Sequence, residues 1–204
     1  MAGKLGPARE NSMSYCVYIR SEQAREPHIS YHDTEYGFPS DDDSVLFERL
    51  ILEINQAGLS WETILKKRAG FRAAYAEFDV RKVAAFTDAD VARLLSDAGI
   101  IRNRLKVEAA IHNAKVVQCL QGEFGSFRSW LDCNHPRSKA DWVKLFKRTF
   151  RFTGGEIVGE FLMSLGYLPG AHDDDCPIAG QLAQIKPPWS TVDQAVYDLQ
   201  APMR

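Results

Sequence analysis

The sequence predicts an all-α fold on three observations. Apolar residues recur at helical spacing from Ser44 to Gly166, capping residues and glycines punctuate that recurrence, and no stretch alternates apolar and polar residues long enough for a strand. The segment SVLFERLILEINQAGLSWETILKK sets Leu46, Phe47, Leu50, Ile51 and Ile54 on one stripe, and Trp61, Ile64 and Leu65 continue it past Gly58. Two successive amphipathic helices satisfy this pattern, because residues three and four apart share a face. The next helix begins at TDAD with Thr87 and Asp90 in capping-box spacing, turns Val91, Leu94 and Leu95 inward, and stops at Gly99. From Asn103 to Gln121 the stripe returns through Val107, Ala110, Ile111, Ala114, Val117 and Leu120, so SDAGIIR reads as a tight turn between two helices, a helix-hairpin-helix in outline. DWVKLFKRTF and EIVGEFLMSLG read as two later helices, the second closing at Gly166, where a missing Cβ suits a left-handed cap.

A chain of 204 residues, 45% of them apolar, can bury the core of one domain. Its longest apolar runs, such as Val45 to Leu52, are broken by charge and fall short of the roughly 20 residues a membrane span needs. No membrane partner is therefore expected. MAGKLGPARENSMS lacks the apolar core of a secretory signal, and Pro187 and Pro188 follow the last periodic segment. The expected division is a tail at 1–14, one domain at 15–186 and a second tail at 187–204. Cys16, Cys119, Cys133 and Cys176, without an export signal, read as free thiols or metal ligands, which points to the cytoplasm.

The net charge of −2 gives no overall attraction to polyanions, yet basic residues cluster at 66–68, at Arg102, Arg104 and Lys106, and at Lys144, Lys147, Arg148 and Arg151. Acids gather at 41–43 and 173–175. Each basic cluster fits a phosphate-binding surface or an ordinary solvated helix face.

Three constellations carry candidate chemistry. Cys16 with His32 in YHD, and His172 with Cys176 in HDDDC, offer the two sulfurs and two nitrogens of a tetrahedral structural zinc site; they equally fit buried structural side chains. Cys119 and Cys133 read as small buried hydrophobes, and His28, His112 and His135 as surface or core groups. In LEINQAGLSW, Glu53 lies between Leu50 and Ile54 in azimuth, where a carboxylate is partly desolvated and costly unless partnered or used. With Asn55, Gln56 and Trp61 it suits a planar, nitrogen-rich ligand, stacked on the indole and donating to the carboxylate; a core tryptophan beside a solvated glutamate fits the same residues. In SDAGIIRNR, amides after Gly99 and the flanking Arg102 and Arg104 could hold a phosphate, or simply form a helix turn.

Taken in order, YHDTEYG, LFERLILE, NQAGLSWETILKKR, Phe78-Asp79, VARLLSDAGIIRNRLK and HDDDC closely resemble the type I 3-methyladenine DNA glycosylases, from about Tyr15 to Pro177. This family is a zinc-containing branch of the helix-hairpin-helix DNA glycosylase superfamily. The resemblance implies a structural zinc on Cys16, His32, His172 and Cys176, joining the N- and C-terminal segments. It assigns Glu53, Tyr31 and Trp61 to the catalytic pocket, Tyr18, His28, Tyr36 and Gln56 to substrate binding, and Gly99, Arg102 and Arg104 to DNA.

The implied activity is base-excision repair. A monofunctional glycosylase without a lyase step hydrolyses the N-glycosidic bond of 3-methyladenine in double-stranded alkylated DNA and releases the free base. A monomer working in the cytoplasm at the nucleoid is expected; the alternative is a noncatalytic binder of alkylated DNA or bases on the same fold. The chain departs from the family pattern in its aromatics. Tyr18 and Tyr36 stand where tryptophan is usual, His28 where a tyrosine is expected, and Ile54 where glycine is common, and the loop from Tyr18 to His28 is longer.

Overall fold

A computed structural model describes residues 14–198; the tail expected at 1–14 therefore lies outside the described residues except for Ser14, as does the stretch 199–204. Among the described residues there are twelve α-helices and no strand: Tyr15–Ile19 (α1), His28–Thr34 (α2), Asp43–Gln56 (α3), Trp61–Ala74 (α4), Val80–Ala84 (α5), Asp88–Ser96 (α6), Arg104–Phe124 (α7), Phe127–Asn134 (α8), Lys139–Thr149 (α9), Gly155–Ser164 (α10), Pro177–Ile185 (α11) and Ala195–Asp198 (α12). Short side chains set many of their starts. Asp42 accepts from the Ser44 amide, Ser60 from Thr63, Asn103 from Lys106 and Ser138 from Asp141, while Thr87 and Asp90 form the expected capping box.

The organising element is α3, and it departs from the single stripe expected of it. Every residue from Leu46 to Asn55 is buried, because α4, α5, α7, α8 and α10 all pack against it. Phe47, Leu50, Ile51 and Ile54 are fully covered, each contributing roughly 1.5–3 kcal/mol by burial. A helix enclosed on all sides must also satisfy its polar groups. Glu48 does so by bridging Arg68 and Arg72 of α4 at 2.8 and 2.7 Å. Arg49 donates to the carbonyls of Glu35 and Ser164, and the Asn55 amide donates to Ile51 O. Glu53 makes no hydrogen bond with any described residue, although only 5% of it is exposed.

Helices α6 and α7 form the expected hairpin, and it sits directly on α4. A Cβ on Gly70 would come within 2.5 Å of Gly99 O, so the close approach requires glycine there, and Lys67 Nζ donates to Ala98 O at 2.6 Å. Arg68 is drawn out of the surface cluster read at 66–68 by its pairs with Glu48 and Glu35. Cys119 and Cys133, expected inside, are exposed. Cys119 falls off the Val117 and Leu120 stripe of α7, so its burial would have broken the helical period.

The chain after Lys186, read as loop or tail, forms a 3-10 turn at Pro188–Thr191 and then α12. Trp189 donates its amide to Gly166 O, and Tyr197 OH lies 2.7 Å from His135 Nε2, so this segment packs on the helical body through a backbone hydrogen bond and a tyrosine–histidine contact that periodicity does not register.

Candidate functional site

The two cysteine and histidine pairs, far apart in sequence, converge between α1, α2 and the start of α11. The ligand atoms of Cys16, His32, His172 and Cys176 all lie within 4.8 Å of one another. Their sulfur-to-nitrogen separations are 3.3, 3.6, 3.6 and 3.8 Å. Metal–sulfur and metal–nitrogen bonds of about 2.3 and 2.0–2.1 Å at tetrahedral angles require about 3.6 Å, so the donor set fits a tetrahedral divalent cation. The surroundings fit too. His32 Nδ1 meets Asp33 at 2.7 Å, His172 Nε2 donates to Tyr36 O at 2.7 Å, and the Asp173 amide points at Cys16 Sγ at 3.3 Å. Each contact leaves the nitrogen or sulfur facing the cluster free to ligate. Burial, with Cys176 beside it, pushes the Cys16 thiol up to about 11, a cost that a bound cation reverses.

Beside this cluster opens a cavity of about 1080 Å³, lined from α1, α2, the α3–α4 turn and α10. Glu53 reaches it from the buried side of α3. Trp61 reaches it from the first turn of α4, presented by the turn at Gly58, whose φ of +84° favours glycine. Tyr31 packs edge-on against Trp61 with centroids 5.2 Å apart and tilts against Tyr36 at 5.8 Å. Tyr18 and His28 complete an aromatic wall, with Tyr15 stacked parallel to Tyr18 and hydrogen-bonded to His28 Nδ1 at 2.9 Å. Burial pushes the Glu53 carboxyl well above its usual range, the Glu160 carboxylate adds to that, and Arg49 opposes it. A cavity with a planar aromatic lining and an unpartnered carboxylate at its base accommodates a flat, hydrogen-bond-donating ring.

The cavity thus brings together Glu53, Tyr31, Trp61, Tyr18, His28, Tyr36 and Gln56. Gln56 does not orient Glu53: its side-chain amide donates instead to Leu59 O at 3.1 Å, closing the turn before α4. Sequence reasoning missed Tyr15 and Glu160. Tyr15 stood only as a boundary of the resemblance, and Glu160 lies on the partly polar side of α10, where nothing in the spacing distinguishes it from a solvated acid. The hairpin residues stand apart from the cavity lining. Arg102 and Arg104 are exposed, whereas the Gly99 amide is taken by Asp97 Oδ1 at 2.7 Å and does not offer a free donor. Arg104 has one weak partner, Glu108 at 3.4 Å.

A helical body with a hairpin bearing exposed arginines, and an aromatic-lined cavity over a buried carboxylate, has the design of a helical DNA glycosylase. Comparison with known proteins agrees. Residues 21–139 match the family described as methyladenine glycosylase. The chain is 40% identical over 173 residues to DNA-3-methyladenine glycosylase 1 of Escherichia coli, covering 76% of this chain and 91% of that protein. It is 38% identical over 169 residues to DNA-3-methyladenine glycosylase of Haemophilus influenzae, covering 74% and 91%. Among solved structures, 3-methyladenine DNA glycosylase I from Staphylococcus aureus superposes with a TM-score of 0.71 at 31% identity, over 81% of this chain and 96% of the other. A tyrosine-to-phenylalanine variant of 3-methyladenine DNA glycosylase I in complex with 3-methyladenine gives 0.70 at 31% identity, over 76% and 94%. The chain belongs to the methyladenine glycosylase family, in its 3-methyladenine DNA glycosylase I branch.

Proposed function

We propose that the cavity over Glu53 receives 3-methyladenine flipped out of alkylated double-stranded DNA, and that this is where its N-glycosidic bond is cut. The protein is a base-excision repair glycosylase that hydrolyses this bond and leaves the backbone intact. N3-methylation makes the adenine cationic and a good leaving group, so the enzyme need not protonate it; holding the flipped cation while water attacks the anomeric carbon suffices. Unstacking costs a few kcal/mol, least for a damaged base, and this contributes to selectivity. The observation that carries the assignment is Glu53: a carboxylate only 5% exposed, without a partner among the described residues, at the base of an aromatic cavity. An exocyclic amine on a cation supplies the donor and the charge it lacks.

Trp61 is assigned to the ring face, Tyr31 to a hydroxyl contact, and Tyr18, His28, Tyr36 and Gln56 to the rest of the wall. Arg102 and Arg104 are assigned to phosphates, with Gly99 forming the hairpin turn, where its amide is held by Asp97 and its carbonyl packs against Gly70. Zinc on Cys16, His32, His172 and Cys176 supplies structural cross-linking; four protein ligands fill its coordination, so it offers no position for a water. The domain at 15–186 acts as a monomer, and no described helix is long and apolar enough to cross a membrane, which is compatible with work at the nucleoid. Incubation with methylated duplex DNA, followed by chromatography of the released bases, tests the assignment. Release of 3-methyladenine supports it, and tight binding without release would instead identify a noncatalytic binder.

A further inference from the structure

Among the described residues four acids, Glu53, Glu156, Glu160 and Asp173, line the cavity, and no lysine or arginine does. Glu156 is a rim group: its side chain is 90% exposed and lies 3.8 Å from Lys139. Asp173 is held by the Ser14 hydroxyl and belongs to the surroundings of Cys16. Glu160 is different. It sits one turn further along α10, half-buried, and one of its oxygens, Oε2, accepts from the Tyr36 hydroxyl at 3.0 Å. No other hydrogen bond reaches its carboxylate among the described residues. Arg49, whose charge acts on Glu53, donates from Nη1 to the Glu35 and Ser164 carbonyls and makes no hydrogen bond to Glu53. Two carboxylates therefore face one desolvated space, one of them aimed by a tyrosine and the other unpartnered.

We propose that Glu160, aimed by Tyr36, is a second recognition carboxylate of the base pocket, so that the cationic base is held by Glu53 and Glu160 together. The proposal rests on the cavity being the base pocket. Its physical content is selection for charge. Two like charges sharing a low-dielectric site repel each other, and burial raises both carboxyls, each favouring a retained proton when the cavity is vacant of a cation. A cationic purine relieves both penalties at once, whereas a neutral purine of the same shape relieves neither. Tyr36 also explains why tyrosine serves here: its hydroxyl spans the gap to Glu160 that an indole, with its single N–H, would have to meet from a different position.

The test uses two probes of near-equal shape, the permanently cationic 3,9-dimethyladeninium and neutral 9-methyladenine, titrated against the full-length protein by tryptophan fluorescence. Wild type is expected to prefer the cation. Glu160→Gln should weaken cation binding by about tenfold, the scale of one charge-assisted hydrogen bond, while changing neutral binding less than about twofold. Glu160→Asp should restore part of the preference. Tyr36→Phe should weaken cation binding in the wild type but add nothing in the Glu160→Gln background. If Glu160→Gln fails to fold, the Glu160→Asp and Tyr36→Phe titrations decide by the same preference. Equal losses for both probes, or no loss, overturn the proposal. Glu53→Gln separates the levels: if it abolishes the cation preference and Glu160→Gln does not, only the second carboxylate is wrong. If neither changes cation binding or 3-methyladenine release, the cavity is not the base pocket.

Discussion

His172 donates from Nε2 to the backbone carbonyl of Tyr36 across 2.7 Å, so a candidate metal ligand and a wall of the cavity hold each other in place. The same tyrosine reaches Glu160 with its hydroxyl. The Cys/His cluster and the cavity are thereby joined through Tyr36, with α1, α2 and the segment before α11 meeting at one place.

From this arrangement, loss of the proposed zinc should act on the pocket through position rather than chemistry. His172→Ala, or prolonged chelation, should abolish stoichiometric zinc, lower the melting temperature and weaken base binding together, because metal binding energy is folding energy, and it adds to the Arg20–Asp175 pair and the Ser14–Asp173 hydrogen bond that also join these segments. Metal analysis, thermal melts and Co(II) substitution check it: Co(II) should give the absorption of a tetrahedral two-sulfur, two-nitrogen site. An octahedral spectrum, or unchanged stability after chelation, would refute the structural role.

Replacement of Glu53 should separate activity from stability. Glu53→Gln keeps shape and one acceptor but removes the charge, so single-turnover release of 3-methyladenine should fall by about one to two orders of magnitude, corresponding to roughly 1.5–3 kcal/mol.

Its effect on stability has the opposite sign. The folded-state pKa of Glu53 is raised above the usual 4.5, so between that value and its folded pKa the native state holds a proton the unfolded chain has lost. Stability from this group is full below the unfolded pKa and falls as pH rises through the folded one. Wild type should therefore lose stability relative to Glu53→Gln as pH rises, leaving the variant with the higher melting temperature at neutral pH. Melts of both proteins between about pH 5 and 8 measure the difference; parallel curves would mean that Glu53 is solvated.

The hairpin should contribute grip without selectivity. Arg102→Glu or Arg104→Glu should weaken binding to alkylated and undamaged duplexes by similar factors, and reduce the slope of log K against log salt by about one per lost phosphate contact. Binding isotherms across a salt series provide the check, and a loss confined to alkylated DNA would move these arginines into base recognition.

Gly70→Ala tests how the hairpin is seated. The added methyl would stand 2.5 Å from Gly99 O, a backbone atom that can yield only if the hairpin shifts from α4. A loss of about 1–3 kcal/mol in denaturant melts is expected, the usual scale of overpacking, with weaker DNA binding and unchanged affinity for free base.

The helical periodicity of the sequence determined α3, α4, α6, α7, α9 and α10 closely, because these helices run for at least two turns and the starts of all but α10 carry side-chain caps that act locally. Motif order likewise marked Cys16, His32, His172, Cys176, Glu53 and Trp61. Only the tertiary structure decided that α3 is enclosed on every side, that Glu48 finds Arg68 and Arg72 while Glu53 finds no partner among the described residues, and that Asp97 occupies the Gly99 amide. The same holds for Glu160, whose meaning depends on Tyr36, 124 positions away. Periodicity reports which face of a helix turns inward, but burial of a charge becomes functional only through what stands opposite it, and that is set by the packing of helices distant in sequence.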